Sequence, residues 1–355
     1  MKSILILFFT GVALFGCNSS ISTDSGSSEQ VDYKKGNVYI SSPEEGSIYI
    51  NGKYIGKKTP SIISLQPGEH RIAVGLDTTR QYLQRNIDVT KEPQTVKLSL
   101  ADKVEPNTWK ALFVGVPVAS GQSPSGECST HFSEQDLDDG FDFFQLNLRK
   151  HIEPFSYGTV KWDIERRDLT KPVELTYNPK NKWYTLESNE GLAELDNVQP
   201  GEYDTVFFFW REEDGSCRFN SSYFGLAWLE PTSDDARKTG YVTVKFNPEQ
   251  MGVKAKVQQY LDNDPGVWTH EWLHIVIEKF YPNQNVKTPI PPVDKLILHS
   301  AGTYGYEYPW LGWYKDLISG QVPLGKDFVG IGPEALMNCS VRQYALNQCS
   351  TPSKE

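Results

Sequence analysis

Three kinds of apolar patterning divide the chain. Behind Lys2, Ile4 to Gly16 is a continuous apolar run, too short to span a bilayer comfortably. Asn18 to Gln30 loses all apolar periodicity and is dominated by serine. A stretch of that kind cannot bury enough surface to offset its ordering entropy, which predicts a flexible tether over residues 18–35. Residues 36–100 are short β-type runs between turn signals: Val38-Tyr39-Ile40, Ser47 to Ile50, His70 to Val74 and Thr95 to Leu100. Asn51-Gly52 sits between two of these runs as a tight hairpin turn. Ala101 to Asn107 reads as a linker.

The runs lengthen beyond Thr108. Ala111 to Val116 is apolar apart from Gly115, the mark of a strand buried on both faces. Ser133 with acidic residues behind it predicts a helix N-terminus, and the loosely periodic Leu137, Phe141, Phe144 and Leu148 carry a helix toward Ile152. Val160 to Ile164, Tyr203 to Trp210, Ser222 to Trp228 and Tyr241 to Phe246 predict strands, with a hairpin turning at Asn178-Pro179. Val267 to Tyr281 is apolar nearly all round, so it predicts a buried helix, opened by Asp264 as N-cap with Pro265 in its first turn and ended by Pro282. The fold class expected is α+β: a small N-terminal β-sandwich over 36–100, then a larger domain over 108–355 built on strands and one buried helix.

That buried helix contains His270-Glu271-Trp272-Leu273-His274. Two histidines four residues apart lie on one helical face, one turn apart, so both imidazoles reach a single ion. Glu271 beside them can take a proton from a water that the ion acidifies. Glu278 lies about 12 Å along the axis from His270, too far to share the ion on a straight helix, and suits a salt-bridging or supporting role. The third ligand must come from elsewhere. His299 is the only histidine downstream of the helix, behind Pro289, Pro291 and Pro292, which can turn the chain back; Glu307 and Asp294 are the carboxylate alternatives. Tyr304 or Tyr306 could donate a hydrogen bond to a developing oxyanion. Zn2+ is the metal this donor set favours.

Charge and cysteines place the chemistry. The 355 residues carry 35 basic and 45 acidic side chains, a net charge of −10, which argues against nucleic acid as a partner. Cys128, Cys217, Cys339 and Cys349 form no C-x-x-C pair and read as two structural disulfides of an exported chain. Three pairings are open to them, one of which joins Cys339 to Cys349 and leaves Cys128 with Cys217.

Resemblances to known families and signals extend this reading. Leu14-Phe15-Gly16-Cys17 resembles the bacterial lipobox, which implies that residues 1–17 are a lipoprotein signal and that Cys17 carries the lipid. Asn18 after it resembles the pattern of lipoproteins sent to an outer membrane or cell surface. Ser42-Pro43-Glu44-Glu45-Gly46, Asn51-Gly52, Gly56, Thr59-Pro60, Leu65 and Pro67-Gly68-Glu69-His70 resemble the PEGA domain, a small β-sandwich of bacterial surface and periplasmic proteins. This resemblance implies a binding or spacer module for a cell-surface or cell-wall component. Strands followed by a helix bearing His-Glu-x-x-His resemble the zincin metallopeptidases. That resemblance implies a zinc-dependent metalloendopeptidase acting on a peptide or protein substrate, with the membrane reached through the lipid anchor. The competing expectation is a binding lipoprotein with a structural or idle zinc site.

Overall fold

The computed structural model describes residues 36–124, 126–180, 182–186, 193, 195, 198, 199, 201–219, 224–230, 239–248, 251–281 and 297–349. The leader, Cys17 and the tether lie outside these residues, as does Asp294. Among the described residues no helix is long and apolar enough to cross a membrane.

The N-terminal lobe is two small sheets. One joins Gly36–Ser41 to Ser61–Leu65 and Gln94–Lys97; the other runs in the order Lys53–Lys58, Gly46–Ile50, Gly68–Leu76, Tyr82–Val89. Alternating residues of both (Val38, Ile40, Ile48, Ile72, Val74, Leu83) meet in a common apolar core. Asn51 and Gly52 turn the second hairpin with φ of 49° and 80°, the left-handed pair such a two-residue turn requires.

The larger part is built on a five-stranded sheet in the order Val160–Asp168, Asn107–Gly115, Thr205–Arg211, Thr239–Phe246, Gly225–Glu230. The first four strands are parallel, and Gly225–Glu230 runs antiparallel along the edge. Period two splits the sheet's side chains between two cores. Trp109, Phe113, Phe207, Phe209, Val242 and Val244 face the helices. Leu112, Val114, Val206, Phe208, Trp210 and Tyr241 face a layer of short strands carrying Tyr184, Leu186 and Phe219. The Cys128–Cys217 disulfide ties that second layer, and Cys339–Cys349 closes the C-terminal loop. The protein is therefore mixed α+β with a β-rich N-terminal region.

Ser133 caps the helix Glu134–Asn147 through a reciprocal capping box with Asp136, and a π turn, Leu148–Ile152, continues it. Gly140 lies inside this helix because a Cβ there would meet the Phe209 ring at 2.3 Å. The helix expected from Asp264 begins later, at Val267, with Gly266 as its cap. Asp264 instead ends a preceding helix, Val253–Asn263, so it is not an N-cap.

The two parts are joined by a buried polar and aromatic seam. Tyr49 and Tyr82 of the lobe pack with Tyr157 of the larger part, and all three are buried. Gly75 permits this approach, since a Cβ there would lie 2.6 Å from the Tyr157 ring. The Tyr49 hydroxyl donates to the Ser319 carbonyl at 2.8 Å, and Gln321 Nε2 donates to both Tyr49 (2.8 Å) and Tyr157 (2.9 Å). Glu334, 5% exposed, accepts from Arg71 and Gln84 at 2.8 Å each.

Candidate metal centre

The helix Val267–Ile275 owes its orientation to two tryptophans. Trp268 and Trp272 are one turn apart and fully buried; Trp268 packs on Phe113, Phe144, Phe207 and Phe209, and Trp272 on Trp109 and Trp162. Burying rings of this size is worth on the order of 4–6 kcal/mol each. Neither indole N–H has a hydrogen-bond partner among the described residues, which costs roughly 1–3 kcal/mol each. The apolar gain wins. Pinning that face to the sheet turns His270 and His274, two positions on and about 200° round the axis, to the opposite side.

There His299 meets them. It lies in the 3-10 stretch Ile297–Tyr304, where Leu298 is held at both ends of its peptide unit. Leu298 N–H donates to Glu278 Oε1 at 3.1 Å, and Trp313 Nε1 donates to the Leu298 carbonyl at 2.9 Å. The Nε2 atom of His270 lies 3.2 Å from Nε2 of His274 and 3.2 Å from Nε2 of His299. The three ligand nitrogens fall within 4.8 Å of one another, a group able to hold a metal ion.

The donors fit zinc. Ligands at 2.0–2.1 Å in a tetrahedron sit about 3.3 Å apart, close to the spacing of these nitrogens. The rear nitrogens of two rings are also committed. His270 Nδ1 is 2.9 Å from the Tyr314 hydroxyl, and His274 Nδ1 is 2.8 Å from Glu278 Oε2. A carboxylate behind a ligating imidazole fixes its tautomer, leaving Nε2 free to bind. Burial, then the neighbouring His274 and His299, pushes His270 down to about 2, so its ring is neutral as a ligand must be. Burial alone would raise Glu278, yet the bonds from His274 and the Leu298 N–H hold it below the usual carboxylate range.

Glu271, 5% exposed, lies against the edge strand. Burial raises its pKa to about 7, partly offset by the neighbouring His274 and Lys279. Lys279 Nζ donates to the Ala227 carbonyl of that strand, and burial lowers its pKa. Helix, edge strand and the 3-10 stretch enclose a cavity of about 540 Å³, with Trp183, Phe224, Tyr308 and Trp310 among its walls.

The structure thus brings His270, His274, His299 and Glu271 together. It does not bring Tyr304 or Tyr306 to the cavity, whose lining contains neither. Tyr304 stacks on Trp313 at 5.2 Å, and the Tyr306 hydroxyl donates to Asp316 at 2.7 Å. Nearness to His299 in sequence does not bring either to the cavity, and Tyr306 lies beyond the 3-10 stretch. Glu307 is absent from the lining too. Tyr314 and Asp264 were missed as site residues. Tyr314 reaches His270 across 44 positions, and no local spacing signals that.

Comparison with known proteins adds a family match for the lobe. The PEGA domain model matches residues 35–104. Over the larger span, the chain has a distant likeness to the crystal structure of metalloproteinase-II from Bacteroides fragilis, with 10% identity over 67% of this chain and 73% of that one. The TM-score of 0.27 is too low for that likeness to carry weight. A search of curated proteins finds no match to this chain.

Proposed function

We propose that this chain is an extracytoplasmic zinc metallopeptidase, held to a bacterial membrane by lipid on Cys17, with the PEGA domain between tether and catalytic domain. The observation that carries the reading is the convergence of three imidazole Nε2 atoms, 3.2 Å apart from the central His270, with Glu271 on the same cavity wall. His270, His274 and His299 would hold the ion, and a zinc bound there would acidify water and polarise a carbonyl.

The chain's own groups supply the rest. Glu271 takes the proton from the attacking water as its oxygen bonds to the peptide carbon, and returns that proton to the nitrogen as the C–N bond breaks. Gly225, Leu226 and Ala227 line the cavity from an edge strand, whose outer main-chain groups suit pairing with an extended peptide. Tyr314 and Glu278 hold two of the rings. The two disulfides agree with an oxidising compartment.

The test is zinc content and cleavage of a broad peptide library by wild type and Glu271→Gln. Glu271→Gln is expected to keep its zinc and lose cleavage. Undiminished cleavage by that variant would refute the mechanism, and a fully zinc-loaded His299→Ala would remove His299 as a ligand.

A further inference from the structure

The cavity holds one carboxylate that the proposed mechanism does not use. Of its acidic residues, Glu271 sits by the histidines and Glu278 is bound to His274 and the Leu298 N–H. The third, Asp264, lies three residues before the histidine helix and lines the cavity. Its carboxylate is approached by the Tyr308 hydroxyl and the Gly266 N–H. Its Oδ1 is shut off from solvent and accepts no hydrogen bond among the described residues. Tyr308 reaches Asp264 through its hydroxyl, and the Trp310 ring lies 6.1 Å from the Tyr308 ring and 6.1 Å from that of His270. The basic side chain in the lining, Lys279, is turned to the Ala227 carbonyl on the opposite strand.

We propose that Asp264, with the faces of Tyr308 and Trp310, forms a subsite for a cationic group of the substrate, an ammonium or a guanidinium. Resting on the peptidase reading, this names the substrate class: peptides with a basic group beside the scissile bond. The argument is one of exclusion as well as attraction. An apolar occupant would finish the desolvation of Asp264 and leave its charge with only the neutral Tyr308 and Gly266 donors. An acidic occupant would be repelled. A cation pairs with the carboxylate, and the aromatic faces attract it further. Lysine or arginine side chains and a free peptide N-terminus all present this chemistry.

The test uses the zinc-loaded full chain and matched peptides carrying arginine or its uncharged isostere citrulline, each with a free or acetylated N-terminus. Cleavage is measured with wild type, and affinity with Glu271→Gln through the fluorescence of the cavity tryptophans. Preference for arginine over citrulline on the order of ten- to hundredfold is expected in both readouts. Preference that follows the free N-terminus instead assigns the subsite to the α-amine. Asp264→Asn should bring the ratio near one, and Asp264→Arg should turn preference toward glutamate peptides. Equal handling of arginine and citrulline peptides, free or acetylated, overturns the proposal, as does a ratio that survives in Asp264→Asn. If Asp264→Asn does not fold, the wild-type comparison still decides. Cleavage without charge preference refutes the subsite alone. Selective binding of arginine peptides with no cleavage refutes the peptidase reading and leaves the subsite standing.

Discussion

Glu271 occupies the space that a side chain at Gly225 would fill. A Cβ built on Gly225 would lie 2.5 Å from both Cδ and Oε1 of Glu271, and 2.6 Å from its Cγ. The edge strand therefore cradles the carboxylate, and only glycine at that position lets it lie flat against the backbone. Gly225→Ala must push the carboxylate aside. Because displacement by about 1 Å can cost two orders of magnitude in rate, peptide cleavage should fall roughly 100-fold. Zinc content should not change, since the atoms nearest that Cβ all belong to Glu271, which is not a proposed ligand. Parallel assays of kcat/KM and bound zinc check this; full activity in Gly225→Ala would show that the cradle is irrelevant.

Glu278 links the surroundings of two proposed ligands that are distant in sequence. Its Oε2 holds His274 Nδ1 at 2.8 Å and its Oε1 takes the N–H of Leu298 at 3.1 Å, next to His299. Glu278→Ala frees both at once and should weaken zinc affinity about 10- to 100-fold. Tyr314→Phe removes a single neutral partner, from His270, and should cost less. Competition titrations against a zinc-binding dye rank the two variants, and the reverse order would contradict the roles assigned here.

The candidate site was legible in the sequence where it depended on helical spacing. His270, Glu271 and His274 lie on one short helix, and the geometry of that helix follows from residue numbers alone. Placing Glu278 apart from the three-histidine group also followed from axial rise. His299 could be reached because few histidines were available. Tyr314 and Asp264 could not, because their positions depend on how a later helix and a preceding one pack on the first. The start of the helix was misplaced for a related reason. Asp264-Pro265-Gly266 has the composition of a helix opening, but here it is a junction between two helices, and the earlier helix, Val253–Asn263, went unread. In the fold, strong β patterns such as Tyr203 to Trp210 found their strands, whereas strand order had no local signature.

The seam between the lobes offers a stability test away from the metal. Gln321 donates to the Tyr49 and Tyr157 hydroxyls, both buried. Gln321→Ala leaves each hydroxyl short of a partner, at a cost of about 1–3 kcal/mol in total, because Tyr49 keeps its bond to the Ser319 carbonyl. Urea denaturation should show a lower midpoint. An unchanged midpoint would mean that the seam contributes nothing to stability.

His151 provides a pH dependence separable from the metal site. It is 8% exposed, stacks on Phe155 at 5.7 Å, and its Nδ1 has no hydrogen-bond partner among the described residues. Burial lowers its pKa from 6.5 to about 4. The unfolded chain therefore binds this proton at a higher pH than the folded one. The stability associated with neutral His151 is fully present above pH 6.5 and is lost as pH falls toward 4. A shift of that size corresponds to on the order of 3 kcal/mol. His151→Phe keeps an aromatic ring against Phe155 and has no proton to gain. All other groups are common to both proteins, so the informative quantity is the difference between the two stability curves. Wild type should lose about 3 kcal/mol relative to His151→Phe between pH 7 and pH 4. Parallel curves over that range would show that the buried imidazole is protonated without penalty, and that its environment is more polar than its packing indicates.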